Sequence, residues 1–313
     1  MEDFTPLRIS TIKPNTQILF NLYIYFKDHF LLYKENGLTI GEDLFKKLKE
    51  QKIARFFITA TEEVNYQKYL DKLLNDTMSK DDVPVTEKAT LAEGVAGTAV
   101  ERMKKDPNSR LAYNMTTQAA GTLRKAVANN KEALKMIMGK KVEEDSIIVK
   151  HCLNVSSLSA KLAEMRKIDS AMVDNIAIAA LIHDLSITRS DAAEQALHRR
   201  PKKTLTVDEL KIYNNHPRNT ADLLQDKPYI NATIMELVLN HEETLSGSGP
   251  QKKKKLTPEE EILSIVDCYD KKVSLFDMSP KQAVQSMTID ELGNYGLDLI
   301  NDLKKLLKEE DII

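Results

Sequence analysis

At 313 residues the chain is long enough for about two domains, each able to bury its own core. A formal net charge of -2 with 29% charged residues gives no chain-wide attraction to DNA or to an anionic membrane surface. Two cysteines, Cys152 and Cys268, are too few for a disulfide scaffold, and the first residues lack the basic and apolar regions of a signal peptide. No uninterrupted apolar run reaches bilayer-crossing length, so a reduced cytoplasm is the expected location.

In the first 75 residues, Thr16 to Ile24 and Phe30 to Tyr33 are rich in β-branched, aromatic and leucine residues, which predicts half-buried strands. Thr39-Ile-Gly-Glu42 has the pattern of a capping box ahead of Leu44, Phe45 and Leu48, which predicts a helix start. Arg55 to Ile58 reads as a further strand, followed by a helix carrying Tyr66, Tyr69 and Leu73. The result is a small α+β unit with no constellation of chemical groups, suited to sensing, to dimerisation or to docking a protein partner. The polar stretch from Asp76 to Val85 predicts a linker, dividing the chain into 1–80 and 81–313. Beyond it helical periodicity dominates. Residues 86–105 and 110–138 predict two or three connecting helices, broken at Pro107-Asn-Ser109.

Four of the six histidines carry the chemistry. Val173, Ile176, Ala177, Ala180 and Leu181 follow helical spacing, and 176–182 is wholly apolar, so this helix is buried nearly all round. It ends in His183-Asp184. Burying an imidazole and a carboxylate without partners costs several kcal/mol, and a divalent cation satisfies both. His151 lies early in an amphipathic helix of about residues 145–166. His216-Pro217 follows a helix opened by the capping box Thr206-Val-Asp-Glu209, and Pro217 can begin the next helix at its first position. His241-Glu242 ends the apolar run Ile230 to Leu239. A third box, Thr257-Pro-Glu-Glu260, launches a helix whose Ile262, Val266, Tyr269 and Val273 face a core, with Asp267 in mid-helix, a position of poor propensity. His29 and His198 read as surface residues, the latter because it opens the basic stretch His-Arg-Arg-Pro.

The order H…HD…H…H…D resembles the HD superfamily of metal-dependent phosphohydrolases. The intervening motifs are similar to its HD-GYP branch: Ala180-Leu-Ile-His-Asp184, Leu205-x-x-x-Glu209 before His216-Pro217, Gly247-Ser-Gly-Pro250 after His241-Glu242, and Val266-Asp-x-Tyr-Asp270. The likeness covers roughly residues 145–300. It is similar in particular to the unconventional variant, known from Bdellovibrio, in which the tyrosine of the Gly-Tyr-Pro motif is missing. The N-terminal unit resembles the sheet-and-helix domain that often precedes such modules. The resemblance implies an α+β domain followed by an all-α HD-type bundle. It also implies two divalent metal ions, the first held by His151, His183, Asp184 and Asp267, the second by Asp184, His216 and His241. Nitrogen-plus-carboxylate ligation suits iron, with manganese or zinc as other fits. The implied activity is hydrolysis of cyclic di-GMP by a hydroxide between the metals, His183 and Asp184 standing at its centre, with no side-chain nucleophile.

Several positions depart from the family pattern. The lysine expected three residues after the HD aspartate is Ile187, for which Arg189 is the nearest substitute. The double histidine is Asn240-His241, and the arginine nine residues after the last aspartate is Phe276. Ile147 stands where some members carry a glutamate for a third metal. Lys271, one helical turn after Asp267, is the candidate phosphate contact, ahead of Lys150, Lys272 and the run Lys252 to Lys255, which is otherwise a solvated loop. These changes leave open a second function: a metal-binding module that receives a cyclic dinucleotide, or a protein partner, with little turnover.

Overall fold

The computed structural model describes residues 3–128, 130–139 and 146–313. Its first part is a four-stranded antiparallel sheet of β1 (Phe4–Arg8), β2 (Leu22–Phe26), β3 (His29–Lys34) and β4 (Arg55–Thr59), in the order β1-β4-β2-β3. Leu7 pairs opposite Phe56, and both are buried, as period-two alternation requires. Two helices, α1 (Glu42–Glu50) and α2 (Glu63–Met78), complete the unit. Phe20 meets Tyr66 and Tyr69 edge-to-face at 5.4 and 5.5 Å, aromatic geometry that adds to area burial.

Three local expectations change. The strand expected from Thr16 begins only at Leu22, because Ile18 bonds to Leu38 and Gly37 in the loop before α1 instead of joining the sheet. The capping box at Thr39 does not form: α1 starts at Glu42 with Gly41 as its cap residue and no side-chain cap bond. Helix α2 runs on to Met78, so the polar linker shrinks to 79–84.

The helical part follows with α3 (Val85–Lys105), α4 (Arg110–Ala128) and α5 (Lys131–Gly139). The sheet docks on α3. Arg8 N–H donates to Thr98 Oγ1 at 3.0 Å, and the Arg8 guanidinium reaches Glu101 at 2.9 Å. Gly94 permits this approach, since a Cβ there would lie 3.1 Å from Ser10 Cβ. Next come α6 (Ile147–Met165), α7 (Ser170–Ile182), and the short α8 (Leu185–Arg189) and α9 (Ala192–Leu197). The start of α6 expected at 145 lies outside the described residues. The remaining helices are α10 (Val207–Leu224), α11 (Ala232–Asn240), α12 (Pro258–Asp270), a π-helical turn Lys271–Leu275, α13 (Pro280–Asp290) and α14 (Leu297–Glu309).

The capping boxes expected at Thr206 and Thr257 both form, so α10 and α12 begin where the sequence places them. Helix α7 is buried from Ile176 to Ile182 and packs against α4, α6 and α11. Arg124 ties α4 to α6 and α7 through Glu164 and Asp174, both at 2.6 Å. By length and composition Ser170–Arg189 could cross a membrane, but 72% of its apolar window is buried inside the structure, as in a core helix. Pro217 does not begin a helix. It lies inside α10, which continues unbroken to Leu224.

Candidate metal centre

Three helix ends and two helix interiors deliver the histidines and aspartates of the sequence pattern to one buried point. His151 comes from the second turn of α6, and His183 and Asp184 follow the last residue of α7. His216 comes from mid-α10, His241 caps the end of α11, and Asp267 lies in the last turn of α12. All six are at most 2% exposed. His151 Nε2 lies 2.9 Å from Asp267 Oδ1 and 3.3 Å from His183 Nε2, which is itself 3.2 Å from Asp267. At the other end His216 Nε2 and His241 Nε2 are 2.9 Å apart and stand 3.3 and 3.5 Å from Asp184 Oδ1. Asp184 Oδ2 faces the first group, 3.4 Å from His183 Nε2 and 3.7 Å from His151 Nε2. One carboxylate therefore touches both halves.

The proton inventory of these rings decides what belongs between them. Nδ1 of His183, His216 and His241 lies 2.7, 2.5 and 2.7 Å from the carbonyl three residues earlier, of Ala180, Tyr213 and Val238. A carbonyl only accepts, so each Nδ1 carries a proton, and in its neutral form each ring turns a bare Nε2 inward. For His183 and His241 the acceptors lie in the last turns of their helices, where carbonyls are spare. For His216 the spare carbonyl is made by Pro217, which has no N–H to donate back to Tyr213. His151 Nδ1 is held instead by Asp270 Oδ2 at 2.8 Å, and Asp270 is steadied in turn by Asn154 Nδ2 at 3.0 Å. Lone pairs thus face lone pairs and carboxylates, and neither oxygen of Asp184 has a hydrogen-bond partner. Such a cluster requires positive charge at its centre, and imidazole with carboxylate suits divalent transition metals. Divalent metal binding is what this donor set fits, with three buried triads inside it: His151/His183/Asp267, His183/Asp184/His241 and His216/His241/Glu242.

Electrostatics agree with this. Burial alone would depress His183, yet the Asp184 and Asp267 carboxylates push it up to about 10. Burial likewise opposes ionisation of Asp184, but the surrounding imidazoles outweigh it and hold the carboxyl well below the usual carboxylate range. His241 goes the other way, to about 4, through burial and the charge of its histidine neighbours. The centre strongly favours a cation against Asp184, which a proton supplies in part and a metal supplies in full.

Around the centre, Glu242 is a hub that sequence reasoning missed as a participant. Its carboxylate accepts from Tyr213 Oη at 2.9 Å, from Lys202 Nζ at 2.5 Å and from Lys271 Nζ. Lys271 is buried and also lies 2.8 Å from Asp267 Oδ2, so it reaches the site but is held by two carboxylates. Arg189 points elsewhere, donating to the carbonyls of Lys104 and Lys105 at the end of α3. Lys150 pairs with Glu93, and Lys272 with Glu291. Asn240 gives its amide nitrogen to Glu260 at 2.7 Å, and Lys253 of the basic run reaches the same carboxylate. The Gly247–Pro250 loop is pinned by Glu243, which accepts from the backbone of Gln251 and Lys253. Gly249 is required there, since a Cβ would lie 2.6 Å from Glu243 Cα.

His198 is a correction. It is not on the surface but fully buried, against His216 and Tyr213. The neighbouring arginines stay half-buried while the imidazole turns fully in, a choice that the basic local sequence hides. His29, as expected, lies on exposed strand β3. Three departures from the family pattern also come together. Ile187, Phe276 and Ile147 pack with Ile148 and Leu275 in an apolar cluster separate from the main core. A cavity of about 730 Å³ lies far from this chemistry, between the sheet unit and α3, lined by Lys13, Phe45, Lys49 and Thr77 among others. The convergent histidines, not the size of that cavity, identify the functional centre.

Known proteins agree with this geometry. Residues 113–296, more than half of the chain, match the HD domain family. The chain is similar to Bd1817, an HDG"Y"P protein from Bdellovibrio bacteriovorus, at 26% identity and a TM-score of 0.78 over 98% of this chain and 100% of that one. It is also 28% identical over 105 residues to the cyclic di-GMP phosphodiesterase PA4108 of Pseudomonas aeruginosa, a match spanning 34% of this chain and 24% of that relative. With an α+β unit leading into a helical bundle and the histidine–aspartate centre inside it, the chain belongs to the HD domain family, in its HD-GYP branch.

Proposed function

We propose that this protein is a metal-dependent phosphodiesterase whose substrate is cyclic di-GMP, with two divalent ions, preferably iron, shared through Asp184. The observation that carries the reading is the set of four inward-facing Nε2 atoms converging on two carboxylates, one of them without any hydrogen-bond partner. Bound there, such ions would acidify water and neutralise phosphoryl charge at neutral pH. The protein's own share is positioning. Carbonyls of Ala180, Tyr213 and Val238 fix three tautomers, and Asp270 fixes the fourth ring. Burial of the helices around the centre excludes bulk water, which strengthens every charge interaction inside. Lys271 holds an ammonium beside Asp267 and Glu242, where it can meet an incoming phosphate. The division at residue 80 makes the sheet unit a sensing or docking part. Its β2–β3 hairpin exposes Tyr25, Phe26, Leu31 and Leu32, an apolar surface suited to a protein partner. We place the chain in the cytoplasm, where two free cysteines stay reduced.

A second reading is favoured by the apolar cluster of Ile187, Phe276 and Ile147, which offers no donor to a phosphate. In it the centre binds metal and a cyclic dinucleotide but turns over little. Elemental analysis of the purified protein, followed by assays with cyclic di-GMP and its linear product, separates the two. Bound metal with hydrolysis supports the enzyme. Bound metal and bound nucleotide without hydrolysis supports the receptor, and absence of metal defeats both.

A further inference from the structure

His198 follows the last residue of α9, and its imidazole is 0% exposed with neither ring nitrogen hydrogen-bonded. The ring stacks on Tyr213 at 4.5 Å and 28°, and stands across the His216 ring at 4.7 Å and 82°. A buried imidazole without a partner costs about 1–3 kcal/mol, so packing alone would be better served by phenylalanine. The other polar groups at this end of the centre are engaged. Tyr213, Lys202 and Lys271 converge on Glu242, and the Asn240 amide nitrogen serves Glu260. His198 is the polar side chain left over, next to the end made by His216 and His241.

Building on the metal-centre reading, we propose that His198 is a substrate-contacting residue, whose ring N–H donates to a non-bridging phosphoryl oxygen bound at the His216–His241 end. A neutral imidazole offers one donor, and a phosphate ester oxygen only accepts, so the pair is complementary in any ester of this class. The contact comes from the segment between α8 and α10 and uses no group already assigned to the metal.

Orthophosphate, which carries the same oxygens, is the probe. His198→Phe keeps an aromatic ring stacked on Tyr213, slightly larger than imidazole, and removes both nitrogens. The metal-loaded variant should retain the wild-type metal content by elemental analysis and melt at the wild-type temperature or above it. Its orthophosphate dissociation constant, measured by calorimetry, should rise about tenfold, the loss of about one hydrogen bond to a charged group. His198→Gln, which keeps a donor, should recover part of that affinity. Unchanged phosphate affinity in His198→Phe would overturn the proposal and leave the nitrogens to an ordered water. Loss of metal in that variant would overturn it too, by making His198 a ligand. A wild-type protein without metal would instead sink the centre itself, a failure read before any variant is made.

Discussion

Two buried polar clusters in this molecule are built on opposite principles. Where the sheet unit meets α3, charges are matched by protein. Arg102 pairs with Glu63 and lies 4.8 Å over the Tyr66 ring, Tyr66 Oη donates to Thr11 at 2.9 Å, and Arg8 and Arg55 share Glu101. The atoms left over there belong to groups whose other atoms are paired. In the helical part, acceptors are aimed at acceptors, and both oxygens of Asp184 stand alone. Matched burial serves to hold two units together, while unmatched burial reserves a place for something the chain does not encode.

Substitutions test that contrast. The largest effect is expected from Asp184→Ala, which removes the carboxylate that, among the described residues, reaches both halves of the centre, and should abolish metal binding altogether. Elemental analysis checks it, and full occupancy in the variant would show that the halves do not depend on Asp184. Arg102→Met comes next. It strands the Glu63 carboxylate and should cost about 3 kcal/mol in denaturant unfolding, with metal content unchanged. If metal fell in step with stability, the two clusters would be one cooperative network. The smallest effect is that of Tyr66→Phe, about 1 kcal/mol at neutral pH from the lost bond to Thr11. Burial pushes the Tyr66 phenol up to about 12, so the native chain keeps a proton that the unfolded chain sheds near pH 10. That contribution is intact below pH 10 and is lost as pH rises toward 12, so the variant should show a shallower alkaline decline in stability. Parallel curves for the two proteins would remove Tyr66 from the account.

How far the sequence discloses these features depends on what sets each one. The centre is legible because apolar helical periodicity forces His183-Asp184 to the end of a buried helix, and two capping boxes fix where α10 and α12 begin. The antiparallel sheet is legible in composition, but the extent of β2 is not, because Ile18 and Phe20 are buried without joining a ladder. His198 and Glu242 escape for a different reason. Their direction is set by short segments whose local sequence is basic or turn-like, and only tertiary packing turns them inward. Pro217 misleads because a proline in mid-chain reads as a boundary. Here the α-helix tolerates it, since its freed carbonyl is taken by the His216 ring. Asp270 could have been found: it lies one turn beyond Asp267, on the same side of α12.

The complete enclosure of the six ligand-type residues has a kinetic side. An ion held among these side chains would leave, and a phosphate ester would reach it, only when the surrounding elements part. Exchange of a bound ion would then run at the pace of that opening rather than at the pace set by coordination strength. The metal held by a given molecule would be the one present when it folded, a record of the cell at the time of synthesis.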